Sequence, residues 1–474
     1  MKYGFFRNMT VGTFLRNITM SAMLMGGLAL ATITLDSCQG GKGVVMTEQG
    51  DTITMKYAQH LKMIDHEGYT EVVLDNPWKP GVVLHRYLLV PKGKEGDEIA
   101  KTLEAKGKKG SKLMGAAANG GLGGKLMGGA NGITDVVRTP ISSSVVFTSP
   151  HCQLMYELGC ADAITGVCDL DYCVIPDIHR RAASKKGEKS MSGKTSPYPG
   201  IEDCGSSMQP MIEKIINIKP EALLISPFEN SGGFGKLDKL HIPIIETADY
   251  METSPLGRAE WVKFYGLLFG QKQQKGDSKK ESQQQEGSYR SCKEPADSLF
   301  NAVEKEYLAL KQRVASRPLG RSILTERKMG NVWYVPGGKS TMGILLADAR
   351  AKYIFAKDTH SGSLSLSTEQ ILAKAKQVDV WAFKYIGTHP LTLANLVDEY
   401  PSYWALPPMW TREIYECNTG MQPYFEQTAF HPEILLREFI QLAHPNIHLG
   451  GLKFYQQMSK EDFLTATADR TVEL

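Results

Sequence analysis

From residue 139 onward the apolar positions fall alternately at strand and at helical spacing. Short buried runs occupy residues 145–148, 164–168, 222–226 and 243–246. Between and after them, residues 151–158, closed by Gly159, and residues 257–269 repeat apolar side chains every three or four positions, which predicts helices. Two segments share one arrangement. Glu213 opens an apolar helix pattern that stops at Pro220 and leads into the strand run 222–226. Glu369 opens another, followed by the strand run 378–383. Alternating strands and helices predict parallel sheets with helices on their faces. The repeat predicts two such lobes, each with one carboxylate in the first turn of a helix, where the helix dipole also favours an acid.

The rest of the pattern sets boundaries. Residues 44–92 alternate apolar and polar positions and predict a small β extension ahead of the main fold (38–92). Residues 93–138 are rich in Gly, Lys and Ala. Lacking a phosphate-loop spacing, they read as an insertion. The first lobe spans 139–298, with a polar segment before Gly205 and a Gln/Lys/Glu/Ser run at 271–296 read as a solvated insertion. Residues 299–320 carry Leu, Val and Tyr at helical spacing and predict one long linking helix. The second lobe, 321–474, includes strand runs near 331–335 and 378–383 and an apolar helix over 432–443. The expected fold class is therefore α/β, with two lobes, a linking helix and an N-terminal β extension.

Residues 1–37 read as an export signal. Lys2, Arg7 and Arg16 precede an apolar run over 20–33, and Leu35-Asp36-Ser37-Cys38 follows. An aliphatic residue three before a cysteine, and a small one just before it, is the pattern of a bacterial lipoprotein signal, cleaved ahead of Cys38 and lipidated on its sulfur. A spanning anchor is the other reading, but a bilayer core needs about 20 apolar residues and this run is shorter. The expectation is a periplasmic protein tethered to the membrane through Cys38. A formal charge of +3 with 22% charged residues gives no argument for nucleic acid. Seven cysteines remain beyond Cys38, at 152, 160, 168, 173, 204, 292 and 417, and none forms a Cys-x-x-Cys. Buried thiols or one local disulfide is expected in preference to a metal site.

Residues 148–159, 212–226, 240–245, 364–383 and 430–445 together resemble the periplasmic substrate-binding proteins of ABC importers for iron-siderophores, haem and cobalamin. The resemblance covers about residues 139–456 and leaves the extension and both insertions outside. It implies capture of a metal chelate between the lobes and delivery to an inner-membrane permease. No intrinsic cofactor and no catalysis are expected, and the protein is expected to be a monomer. It further implies that Glu213 and Glu369 dock onto permease arginines, two separated carboxylates fixing orientation against a basic partner. The cargo should meet loops at strand C-termini. The candidate ligand-binding residues are His151, Tyr172, Phe228, Asn230, Gly338, Lys339, Tyr385 and Trp410. Aromatic walls suit a flat macrocycle or aryl chelate. His151 or Tyr172 could ligate iron, or serve as hydrogen-bonded walls. His179, Arg180, Arg181, Lys185 and Lys186 read as a basic loop able to meet carboxylates, or simply as a solvated one. An iron chelate ranks ahead of cobalamin. A surface capture lipoprotein without an importer, or a cleft enzyme using His151 and Cys152, stands as the alternative; no Gly-x-Ser-x-Gly or His-Glu-x-x-His supports an enzyme.

Overall fold

The computed structural model describes residues 50–112, 126–128, 132–185, 195–229, 233–273 and 289–459. The export signal, Cys38 and Asn230 lie outside these residues, as does Lys186.

The chain begins with β1 (Asp51–Ile53), β2 (Leu61–His66), β3 (Tyr69–Asp75) and β4 (Val83–Pro91), an antiparallel meander. Residues 93–138, expected to be a plain insertion, continue this sheet. Helix α1 (Lys94–Lys112) crosses over and returns the chain, through β5 (Leu126–Gly128), to β6 (Gly132–Thr139), which pairs parallel to β4. The result is one six-stranded sheet in the order β1-β2-β3-β4-β6-β5. The glycines hid a helix whose Ile99, Ala100 and Leu103 pack beside Val90, against Tyr69, Leu88 and Val136. Leu61, Met63, Val72, Leu74, Tyr87 and Leu89 share one hydrophobic core with Ile164, Trp261, Phe264 and Tyr265 of the following lobe. The extension is part of that lobe's core.

The first lobe is built on β7 (Ser144–Val146), α2 (Ser149–Glu157), β8 (Ile164–Val167), α3 (Pro176–Lys185) and β9 (Glu202–Asp203). A small hairpin of β10 (Gly205–Ser206) and β11 (Gln209–Pro210) leads to α4 (Ile212–Ile218), β12 (Ala222–Ile225) and β13 (Ile244–Glu246). The five strands form a parallel sheet in the order β13-β12-β7-β8-β9. Helix α3 corrects the basic-loop reading. Arg181 is fully buried, its guanidinium donating to the carbonyls of Pro199 (2.7 Å), Ala161 (2.9 Å) and Ile164 (2.6 Å). Arg180 pairs with Asp177 at 2.8 Å, and His179 meets the Cys173 carbonyl. These groups stitch the lobe together and are not offered to a ligand.

Helices α5 (Pro255–Glu260) and α6 (Val262–Leu268) follow, kinked apart at Trp261 where one helix was expected. The polar run 271–296 is partly structured. Strands β14 (Gly270–Lys272) and β15 (Tyr289–Ser291) pair antiparallel, and α7 (Lys293–Val314) starts at once. Helix α7 is the linking helix, 22 residues long, burying Phe300, Val303, Tyr307, Leu310 and Val314 along one face.

The second lobe holds β16 (Ile323–Thr325), β17 (Lys328–Met329), β18 (Val332–Pro336), α8 (Thr341–Asp348), β19 (Ser363–Leu366), α9 (Thr368–Lys374) and β20 (Val380–Tyr385). Then come α10 (Leu393–Glu399), α11 (Pro407–Thr411), β21 (Ile414–Asn418), α12 (Tyr424–Thr428), α13 (Pro432–Ala443) and β22 (Gln456–Gln457). Strands β16, β20 and β21 are parallel and β22 closes the sheet antiparallel. A separate antiparallel sheet, β17-β18-β19, stands beside it. Among the described residues the seven cysteines are free buried thiols.

Candidate functional site

In the first lobe the chain winds outward in both directions from β7, so the strand order reverses between β7 and β12. Connections leaving those two strands part to opposite sides and open a crevice at their C-terminal ends, the usual ligand position in an open α/β sheet. Two hollows lie there, of about 560 and 430 Å³, and both are lined by Phe147, Thr148, Asp169 and Ser226. The larger runs over the β10–β11 hairpin and the segment around Phe228 and Phe234. The smaller reaches the second lobe at Phe425 and Glu426. Together they form one cleft.

Its rim is apolar and open to solvent. Tyr172 is 69% exposed, Phe228 53%, Met208 79% and, from the second lobe, Phe425 51%. An exposed apolar patch of this kind marks a contact surface. The floor is polar and ordered. His151 is buried at 2% exposure, with Nδ1 against the Thr148 hydroxyl and Nε2 2.9 Å from Asp249 Oδ1 and 3.0 Å from the Tyr265 hydroxyl. Asp249 is fully buried and also accepts from Arg258 Nε at 3.0 Å. Burial alone would raise the Asp249 carboxyl, but His151, Arg258 and the Tyr265 hydroxyl hold it down at about 2. Across the cleft, Glu426 Oε1 accepts from Ser149 Oγ at 2.8 Å, tying the second lobe to the first. Asp169 sits in the left-handed region, at φ 53°, which Asp tolerates better than most residues, and takes the Ser207 N–H at 2.9 Å.

The structure divides the expected ligand residues. Tyr172 and Phe228 stand on the rim, and His151 lies in the floor with both ring nitrogens engaged by protein groups. That occupancy makes His151 a wall and support rather than a free metal ligand. Gly338, Lys339, Tyr385 and Trp410 line neither hollow. Gly338 is packed on the carbonyls of Phe355, Ala356 and Asp358, and Lys339 beside it is exposed. Tyr385 is buried, its hydroxyl accepting the Leu391 N–H at 2.8 Å. Trp410 precedes β21, at the opposite end of the parallel strands from their C-termini, and donates to the Trp404 carbonyl at 2.8 Å. Asp249, Tyr250, Arg258 and Glu426 are cleft residues that the sequence did not single out.

Glu213 and Glu369 are both exposed in the first turns of α4 and α9. Each helix runs back along the strand that follows it, so topology puts both carboxylates at the end of the lobe that holds the strand C-termini. For Glu213 the cleft confirms this, because its neighbour Ile212 lines the larger hollow.

Residues 152–385, which include α2 through β20 and so most of the first lobe, the linking helix and the first half of the second, match the periplasmic binding protein family. Among curated proteins, an uncharacterized lipoprotein of Methanocaldococcus jannaschii is 23% identical over 320 residues, covering 66% of this chain and 68% of its own. A second uncharacterized lipoprotein from that organism is 22% identical over 265 residues, 54% of this chain and 62% of its own. Among solved structures, a periplasmic haem-binding protein from Pseudomonas aeruginosa covers 68% of this chain and 99% of its own, at 12% identity and a TM-score of 0.45. A periplasmic vitamin B12-binding protein of Vibrio cholerae covers 64% and 97%, at 12% identity and a TM-score of 0.40. No described helix of the chain is long and apolar enough to cross a membrane.

Proposed function

We propose that this chain is the lipid-anchored substrate-binding component of an ABC importer, carrying an iron chelate, haem or a siderophore, from the cleft to an inner-membrane permease. The observation that carries the reading is the cleft itself, a polar floor at the sheet's reversal point under a rim of exposed Tyr172, Phe228, Met208 and Phe425. A flat apolar chelate would cover those side chains from both lobes at once, and aromatic faces suit it. Glu213 and Glu369 then serve as the docking carboxylates, and Cys38 as the lipid attachment point. One long helix between the lobes, together with the Glu426–Ser149 bond across the cleft floor, favours small closure over wide hinge motion.

The test is a titration of the protein without its export signal (residues 39 onward) with haemin, ferric siderophores and cobalamin, followed by absorbance and tryptophan fluorescence. A saturable 1:1 change with haemin or a ferric siderophore supports the reading. Binding of cobalamin alone would replace the iron chelate with a corrinoid. Silence with all of them would favour a capture lipoprotein without an importer.

A further inference from the structure

Arg258 is a cation built into the cleft floor with four of its five N–H donors free of a protein partner among the described residues. It projects from α5, lines the smaller hollow and is 27% exposed. Its Nε donates to Asp249 Oδ2, while Nη1 and Nη2 have no protein partner among the described residues. Asp249 is itself fixed from the other side by His151 and by the Tyr265 hydroxyl, each about 3 Å away. Three side chains, Asp249 directly and His151 and Tyr265 through it, therefore orient one guanidinium, with its two terminal N–H₂ groups left over. A guanidinium is the side chain whose fork matches a carboxylate, and an arginine whose Nε is already tied loses little further freedom when it binds one.

The other charges around the cleft restrict what can approach. Asp169 and Glu426 line it too, Asp169 accepting from the Ser207 N–H and Glu426 from the Ser149 hydroxyl. A ligand with acid groups all round would be repelled by those walls. A neutral apolar body with its acid at one edge would not, because the body meets Tyr172, Tyr250 and Phe425 while the acid meets Arg258.

We infer that Arg258 binds a carboxylate arm of the cargo, with Asp249 and His151 as its positioning residues, so that the cleft selects amphiphilic chelates carrying an edge carboxylate. The inference rests on the reading of the cleft as a chelate site. Sequence gave no hint of it, since Arg258 and Asp249 sit in unremarkable surroundings, Ser254-Pro-Leu-Gly-Arg258 and Thr247-Ala-Asp249.

Haemin and haemin dimethyl ester test it, because the two differ only in whether their carboxylates are free. Wild-type protein should bind haemin more tightly than the ester by roughly 10-fold to 100-fold, the worth of a charge-assisted hydrogen bond. Arg258→Gln should bring the haemin affinity down to that of the ester and leave the ester where it was. Arg258→Lys should recover part of the preference, and Asp249→Asn should lose part of it. The acid-to-ester ratio is taken within each variant, so partial loss of folding does not imitate the result. An equal preference in wild type and Arg258→Gln would overturn the inference while leaving the chelate reading intact. Failure of both porphyrins and of the siderophores to bind would overturn both.

Discussion

Glu157, the last residue of α2 in the first lobe, lies 3.0 Å from Nε2 of His431, the residue that opens α13 in the second. The other ring nitrogen is 2.9 Å from Glu433. Burial disfavours the imidazolium, but the two carboxylates outweigh it and raise His431 to about 10. An unfolded His titrates near 6.5. Below that pH both states are protonated and the contribution is whole. Above it the unfolded chain loses its proton while the folded one keeps it, so stability should fall steadily towards pH 10. The loss should be roughly 3 kcal/mol across that window, after discounting for partial exposure. Urea denaturation from pH 6 to 10 measures it. His431→Gln should flatten the alkaline slope; an unchanged slope would show that the lobes are not joined this way.

Asp249 has the opposite sign. Its folded value of about 2 is below the unfolded value near 4. Its contribution is complete above about pH 4 and is lost as the pH falls through 2, about 2 kcal/mol in all. Asp249→Asn should weaken this acid limb and, by releasing Arg258, lower overall stability by roughly 3 kcal/mol, as removal of one partner from a buried pair does. Acid titration of tyrosine fluorescence in both proteins checks the prediction.

The docking role predicts a clean separation of binding from delivery. Glu213→Ala with Glu369→Ala should leave chelate affinity within about twofold, because both side chains are exposed and surface charges contribute little to the fold. Uptake in cells should fall severalfold or more. Undiminished uptake by the double variant would remove the two carboxylates from the interface with the permease.

A fourth prediction concerns the strap at residues 56–60. The carboxylate of Glu260 accepts the backbone N–H groups of Lys56, Tyr57 and Ala58 at 2.9, 2.7 and 3.0 Å. Glu252 accepts those of Gln59 and His60, each at 2.9 Å, and also the indole of Trp261. The Tyr57 hydroxyl then reaches Glu304 on the linking helix at 2.5 Å. Glu260→Ala leaves three donors without a partner and should cost about 2–4 kcal/mol. Limited proteolysis should then cut near residue 56 much faster than in the wild type, well before the lobes are attacked.

The parts legible in the chain were those with strong local periodicity. Residues 432–443 are α13, and the Glu213 unit is α4 followed by β12, because their apolar faces repeat without interruption. Helix α3 was lost among its charges, since Arg181 is buried by backbone carbonyls that no sequence pattern announces. Helix α1 was masked by neighbouring glycines. Tyr172 and Phe228 could be placed on the cleft because they follow strands directly. Arg258 and Glu426 come from separate lobes and meet only through topology. Trp410 misled because its position before a strand, rather than after one, puts it at the far end of the sheet.

The hydroxyl of Tyr87 does on a small scale what a neighbouring strand would do. It donates to the Ile244 carbonyl at 2.9 Å and accepts from the Glu246 N–H at 2.8 Å, on β13, the outermost member of the first lobe's sheet. His85, stacked on Tyr87 at 4.3 Å, ties Glu246 to Asp135 just above. An uncovered terminal strand is a template on which other chains can add. A protein trimmed to the family-like portion would therefore expose sticky backbone along β13 and self-associate. The N-terminal sheet is thus a built-in guard against aggregation, which gives the long segment ahead of the binding fold a reason to be there.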